Sequence, residues 1–213
     1  ITSLAVLQMY DQGKFKFDDP IKMYLPEFES QRVLLDSSST DISQTKPRAN
    51  EITVAHLLTH TSGLGSRGSR LYRENNVRNK NITLNQMVKN AARVPLFQDP
   101  GTEFRYGIHA TILGKLVEVW FGMPFYRYLE NELLDPLGMD STMFWAEGSN
   151  ADRLASLYRP IDGRLLPHQI ENIPFTMKPK LIEGGVGLLS SVMDYMRFSQ
   201  LVLNRGVLND NRL

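Results

Sequence analysis

Cysteine is missing from the 213-residue sequence altogether, which excludes a disulfide framework, a thiolate nucleophile and a cysteine-ligated zinc site. A cysteine-free chain suits a periplasmic and a cytosolic address equally well, so the compartment stays open. No apolar run approaches the roughly 20 residues that a membrane-spanning helix needs, and the first residues carry no charged leading region of a signal peptide. Neither sign of charge dominates: 24 Lys and Arg face 23 Asp and Glu, a formal net charge of +1. The balance offers no basic field to nucleic acid and no acidic tail to a cationic partner. Internal repeats are absent as well. What is there, 42% hydrophobic and 22% charged residues, suits one large domain or two small ones with an ordinary packed core.

Helical periodicity dominates. In ITSLAVLQMYDQGK, Leu4, Val6, Leu7 and Tyr10 form an apolar face ending at Gly13, which reads as the back half of a buried helix with only Thr2 and Ser3 as a weak cap. Pro20 and Pro26 bound a connective stretch with a one-turn helix. Asp36 to Glu51 is Ser-rich and aperiodic, an exposed loop. Thr53 caps a short helix that carries Val54, Leu57 and Leu58 inward and stops at Ser62 and Gly63. Gly65 to Asn81 reads as a second surface excursion, and Thr83 caps the helix LNQMVKNAAR. HATILGKLVEVWFG has the strongest stripe: Ile112, Leu113, Leu116, Val117 and Trp120. MPFYRYLENELLDPLGM is a helix closed by Pro136 and Gly138. From Ser141 to Glu171 the pattern is mixed, with a hairpin at Asp162 and Gly163, and Ser190 or Ser191 caps a last helix ending at Gly206. The fold class is therefore mainly α with short β segments.

Three groups of residues invite chemistry. His56 and His60 stand four apart, the spacing at which two imidazoles can share a metal, but the glutamate of a zinc protease and a third ligand are not visible. The plainer reading has His60 bonding neighbouring backbone at the helix end. Tyr106, in FRYG, can plug the core with its hydroxyl at the rim. Close to a helix N-terminus and an ammonium, the same phenol can serve as a general base. Ser43 and Lys46 have the Ser-x-x-Lys spacing of an acylating nucleophile and its base. Pro47, Arg48, Ala49 and Asn50 follow, however, with no apolar helix to carry the pair into a core. Trp145 and Tyr158 can line an acyl pocket or fill the core.

Taken in order, ITSLAVLQMYDQGK, ITVAHLLTHTSGL, PGTEFRYGIHATILGKLVE, LLDPLGM and EGGVGLLSSVMDYMRF resemble the serine β-lactamase and penicillin-binding-protein superfamily, in the class C-like branch with esterases, transesterases and D-alanyl-D-alanine peptidases. The resemblance spans nearly the whole chain. It implies that residues 1–213 are the helical part of an α+β β-lactamase/transpeptidase-like domain, without most of the antiparallel sheet. It also implies acyl-enzyme transfer with no cofactor or metal, on a small-molecule ester, a β-lactam or a peptidoglycan-type substrate.

By that resemblance Tyr106 matches the family's second-motif tyrosine, a proton shuttle. The third residue of the motif, usually an Asn that steadies substrate in β-lactamases, is Ile108, whose side chain cannot donate that bond. The departure favours the esterase-like members. Leu64, Gly65 and Ser66 fall on a loop bordering the cleft, and Gly184 and Gly185 on its rim. The family's Ser-x-x-Lys tetrad stands just before a stretch like Ile1–Lys14, and its Lys/His-x-Gly motif well after Leu213. The expectation is thus a segment of a serine hydrolase, inactive by itself. The alternative is a non-catalytic binding or scaffold module derived from the same fold, against which stands a start inside an apolar helix. A third possibility relocates the nucleophile to Ser43.

Overall fold

The computed structural model describes residues 1–168, 175–208 and 211–213. It opens on helix α1 (Thr2–Asp11), after which Gly13 turns the chain at φ +69°, a conformation glycine adopts without a Cβ clash. The buried face of α1 is only in part the expected one. Val6 is buried and Leu4 partly so, but Thr2, Ala5 and Met9 join them inward, while Leu7 and Tyr10 are each 42% exposed. The physical reason is the partner: α1 lies along α5 (His109–Phe121), and small Thr2 and Ala5 permit the approach. Tyr10 stacks on Phe17 instead, with centroids 4.2 Å apart.

Two one-turn 3-10 helices, Ile21–Met23 and Pro26–Phe28, bury Ile21 and Phe28. The polar stretch 36–51 is not wholly a loop, because β1 (Val33–Leu34) pairs antiparallel with β2 (Thr45–Lys46). Arg32 holds the second strand through the Thr45 hydroxyl at 2.8 Å. Helix α2 (Val54–Leu58) begins with a reciprocal cap: the Thr53 hydroxyl accepts from the His56 N–H, and His56 Nδ1 accepts from the Thr53 N–H, both at 3.2 Å. The second polar stretch also carries an anchor. Helix α3 (Arg70–Glu74) buries Leu71 and Tyr72, with Val77 beyond it.

Helix α4 (Leu84–Arg93) starts at its expected cap, Thr83, and α5 ends where Gly122 turns left-handed. Helices α1, α2, α4 and α6 (Phe125–Leu129) all pack on α5. Its buried Ile112, Leu113, Leu116 and Val117 form the middle of the core, each such side chain contributing about 1.5–3 kcal/mol. Helix α6 runs into a π-helical turn, Glu130–Leu134, before Gly138 at φ +63°. Strands β3 (Tyr158–Ile161) and β4 (Arg164–Pro167) form the expected hairpin. Asp162 and Gly163 are both left-handed there, as a tight two-residue turn requires. The hairpin exposes Tyr158, at 56%, which removes it from the core; Trp145 is half-buried against Tyr126. Residues 169–171 of the mixed stretch lie outside the described residues.

Helix α7 (Val192–Leu203), capped by Ser191, stops three residues before Gly206, and β5 (Val207–Leu208) pairs with β6 (Asn211–Arg212). The molecule is mainly helical, with three two-stranded antiparallel sheets among the described residues. Among those residues no helix is long and apolar enough to cross a membrane.

Candidate functional site

The N-terminal turns of α5 collect the family-matched residues from three separate parts of the chain. Gly107 leads into α5, and a Cβ placed on it would lie 2.4 Å from the Gly65 carbonyl oxygen and 2.8 Å from that of Leu64. Only a residue without a side chain lets the two backbones meet. The Ile108 N–H then donates to the Gly65 carbonyl at 3.1 Å, and the Gly65 N–H donates to the buried Tyr72 hydroxyl at 2.9 Å. The Leu64–Ser66 loop is thereby locked against the entrance of α5. Leu64 is fully buried and Ile108 is 4% exposed, so these two support the loop from below, and Ser66 is the exposed member.

On the other side, a Cβ on Gly184 would lie 2.2 Å from the Ala110 carbonyl oxygen, and one on Gly185 would touch the Thr111 hydroxyl at 3.3 Å. The Thr2 hydroxyl donates to the Gly184 carbonyl at 2.7 Å, which brings the start of α1 to the same place. A residue that the sequence did not single out holds this rim. Glu183, 4% exposed, pairs with Arg78 Nε at 2.6 Å and accepts from the Thr111 hydroxyl at 3.0 Å. Its only sequence signal is an acidic residue next to a glycine pair.

Tyr106 projects from this platform and is 69% exposed, so it does not plug the core. Its ring lies over the His60 imidazole, with centroids 5.1 Å apart and planes 20° from parallel. Among the described residues the His60 ring bonds no backbone group, contrary to the plain sequence reading. Its Nδ1 lies 2.9 Å from Nδ1 of the buried His109, a residue sequence reasoning missed. Burial, reinforced by the neighbouring His60, pushes His109 down to about 4, and burial also lowers His60. Both rings are therefore neutral near pH 7, one donating and the other accepting the shared proton. His56 is turned away into the cap of α2. Among the described residues no three His, Cys, Asp or Glu side chains gather as metal ligands.

The Ser43 and Lys46 pair is engaged elsewhere. Ser43 donates its hydroxyl to Asp41 at 2.6 Å, and Lys46 pairs with Asp99 at 2.6 Å at the end of β2. An ion-paired ammonium has no lone pair with which to take a serine proton.

Known proteins resemble this chain in sequence and fold. The chain is 32% identical to the acyltransferase calJ of Penicillium decumbens over 92% of its own length and 48% of that protein's. The solved structure of EstCE1, a hydrolase with promiscuous acyltransferase activity, superposes with a TM-score of 0.78 at 25% identity, over 99% of this chain and 58% of that one. Simvastatin synthase (LovD) from Aspergillus terreus superposes with a TM-score of 0.76 at 28% identity, over 96% of this chain and 52% of its own. The chain thus spans about half the length of the curated relatives it matches. The Beta-lactamase family model matches residues 1–213, and the chain belongs to that family.

Proposed function

We propose that these residues form the tyrosine-bearing wall of an acyl-transfer site, in an enzyme that cleaves or exchanges a small-molecule ester or amide through an acyl-enzyme. The observation that carries the reading is the placement of Tyr106: an exposed phenol over the His60 ring, next to Gly107, whose backbone is locked against the 64–66 loop. In such a reaction a serine oxygen attacks the carbonyl carbon as its proton leaves to a basic group. The tetrahedral intermediate then collapses, and the departing alcohol or amine takes a proton back. Water or a second alcohol repeats the sequence and frees the acid or a new ester. Tyr106 is assigned the proton relay, and backbone N–H groups the oxyanion. The hydrolase and acyltransferase activities named for EstCE1 and calJ support an ester-type substrate.

Because Ser43 and Lys46 are tied to other partners, the nucleophile is assigned to chain outside these 213 residues. The exposed apolar side chains of α1 and α7 agree with a helical part that a sheet covers. Leu4, Leu7, Phe198 and Val202 line a groove of about 540 Å³ between the two helices. The test is covalent labelling with a fluorophosphonate, read by intact mass and peptide mapping. The expected result is no adduct on the 213 residues and one stoichiometric adduct on a serine of a longer chain that supplies the nucleophile. An adduct on Ser43 would make the chain a rearranged hydrolase. One observation favours a second reading, a non-catalytic binding module: Ile108 is buried where β-lactamases of the resembled family carry an amide. Saturable ligand binding by the longer chain without labelling would establish it.

A further inference from the structure

A phenol that relays protons must be held to within tenths of an ångström, since small misplacements of a reacting group cost large factors in rate. Tyr106 is 69% exposed and has little packing of its own to hold it. What does meet its ring is the His60 imidazole, nearly parallel at 5.1 Å. We propose that His60, clamped edge-on by His109, is a positioning residue that fixes the orientation of the Tyr106 ring. The inference rests on the reading of Tyr106 as the proton relay.

Four features of the cluster support it. First, His60 controls the Tyr106 segment twice. Its carbonyl accepts the Arg105 N–H at 2.8 Å, which locates the backbone, and its ring lies under Tyr106, which locates the side chain. Second, His60 is itself immobilised. The Nδ1 to Nδ1 bond of 2.9 Å grips one edge of the imidazole, and the His109 ring stands across it at 67°. Phe104 lies 5.8 Å from the same ring.

Third, the arrangement is a poor stability device. His60 sits at φ +58°, a left-handed conformation that costs a non-glycine residue on the order of 1 kcal/mol or more. His109 Nε2 is buried with no hydrogen-bond partner among the described residues, an omission worth about 1–3 kcal/mol. A glycine at 60 would avoid the strain and a leucine at 109 the orphaned nitrogen, and strain of this kind concentrates where geometry serves function. Fourth, burial keeps both rings neutral near pH 7, so the two imidazoles attract through one shared proton and do not repel as cations.

The test uses His60→Gly, which keeps the left-handed backbone and deletes the ring, and His60→Asn, which tolerates the same φ and can still reach His109 with its amide. In the 213-residue chain with carbon-13 labelled tyrosine rings, Tyr106 is assigned by its loss in Tyr106→Phe. The stacked imidazole is expected to displace the Tyr106 ring resonances from free-tyrosine values. His60→Gly should return them, and His109→Leu, which frees His60 to turn, should shift them part of the way, with the far-UV circular dichroism unchanged in both. Resonances already at free-tyrosine values in the wild type, or unmoved in His60→Gly, would overturn the platform.

In the longer chain that carries the nucleophile, His60→Gly is expected to lower kcat by about tenfold to a hundredfold with KM nearly unchanged, and His60→Asn to recover part of the loss. Full activity in Tyr106→Phe would overturn the proton-relay reading itself. Loss of activity in Tyr106→Phe alongside full activity in His60→Gly would overturn the positioning role alone.

Discussion

At the scale of single residues, two glycines do what no other residue permits. Gly65 leaves room for the Phe97 ring, which an added Cβ would meet at 2.1 Å. Gly107 lets two loops touch backbone to backbone, where an added Cβ would sit 2.4 Å from a carbonyl oxygen that cannot move without breaking the bond from the Ile108 N–H. Gly107→Ala is expected to cost about 2 kcal/mol, the range of overpacking a tight site. Chemical denaturation should read this as a lower midpoint at an unchanged slope. Gly68→Ala, where a Cβ meets nothing within 4 Å, should change the midpoint little and serves as the control. An equal effect of both substitutions would show that the close approach does not matter. Neither glycine differs from its neighbours in pattern, so the sequence marks them only through the resemblance.

At the scale of elements, caps and turns are written in adjacent residues. Thr53 and His56 close the start of α2 on each other, although the helix is only five residues long. So short a helix has little cooperative stability of its own, which makes its cap matter. Thr53→Ala is expected to lose about 1 kcal/mol and to raise amide exchange in α2 first, because the N–H of His56 loses its acceptor. Exchange that rises equally across the molecule would show that the cap acts on the whole fold and not on the element. The same locality made Thr83, a cap at Ser190 or Ser191 and the Asp162–Gly163 turn legible in the sequence, Ser191 being the one used. It did not reveal which face of α1 turns inward, since Leu4, Leu7 and Tyr10 are as periodic as the buried set, and only the presence of α5 alongside decides.

At the scale of the whole molecule, the buried histidine couples the fold to pH. His109 is held down to about 4 in the folded protein against 6.5 for an unhindered imidazole, first by burial and then by His60. Between those values the unfolded chain binds the proton and the folded one does not. Stability is therefore complete above about pH 6.5 and falls as the pH drops toward 4. His56 and His60, lowered by burial, act in the same direction. Below pH 4 the depressed carboxyls of Asp19, Glu51 and Asp99 extend the loss. The melting temperature should fall across pH 6.5 to 4, with His109 losing up to about 3 kcal/mol of stability there, and His109→Gln should flatten that limb. Parallel wild-type and variant profiles would rule His109 out as the source.

By itself, then, the sequence determined the helical class, most element boundaries, their caps and turns, and the family. Each of these depends on residues within about four positions of one another or on motifs read in order along the chain. Tertiary structure alone decided the meeting of His60 with His109 across 49 positions and of Arg78 with Glu183 across 105. It also decided the burial of Ile108, the engagement of Ser43 and Lys46, and the exposure of Tyr106 above the His60 ring. Periodicity encodes the direction in which a side chain leaves its own element. What it meets there is set by the packing of other elements around α5, which no local pattern carries.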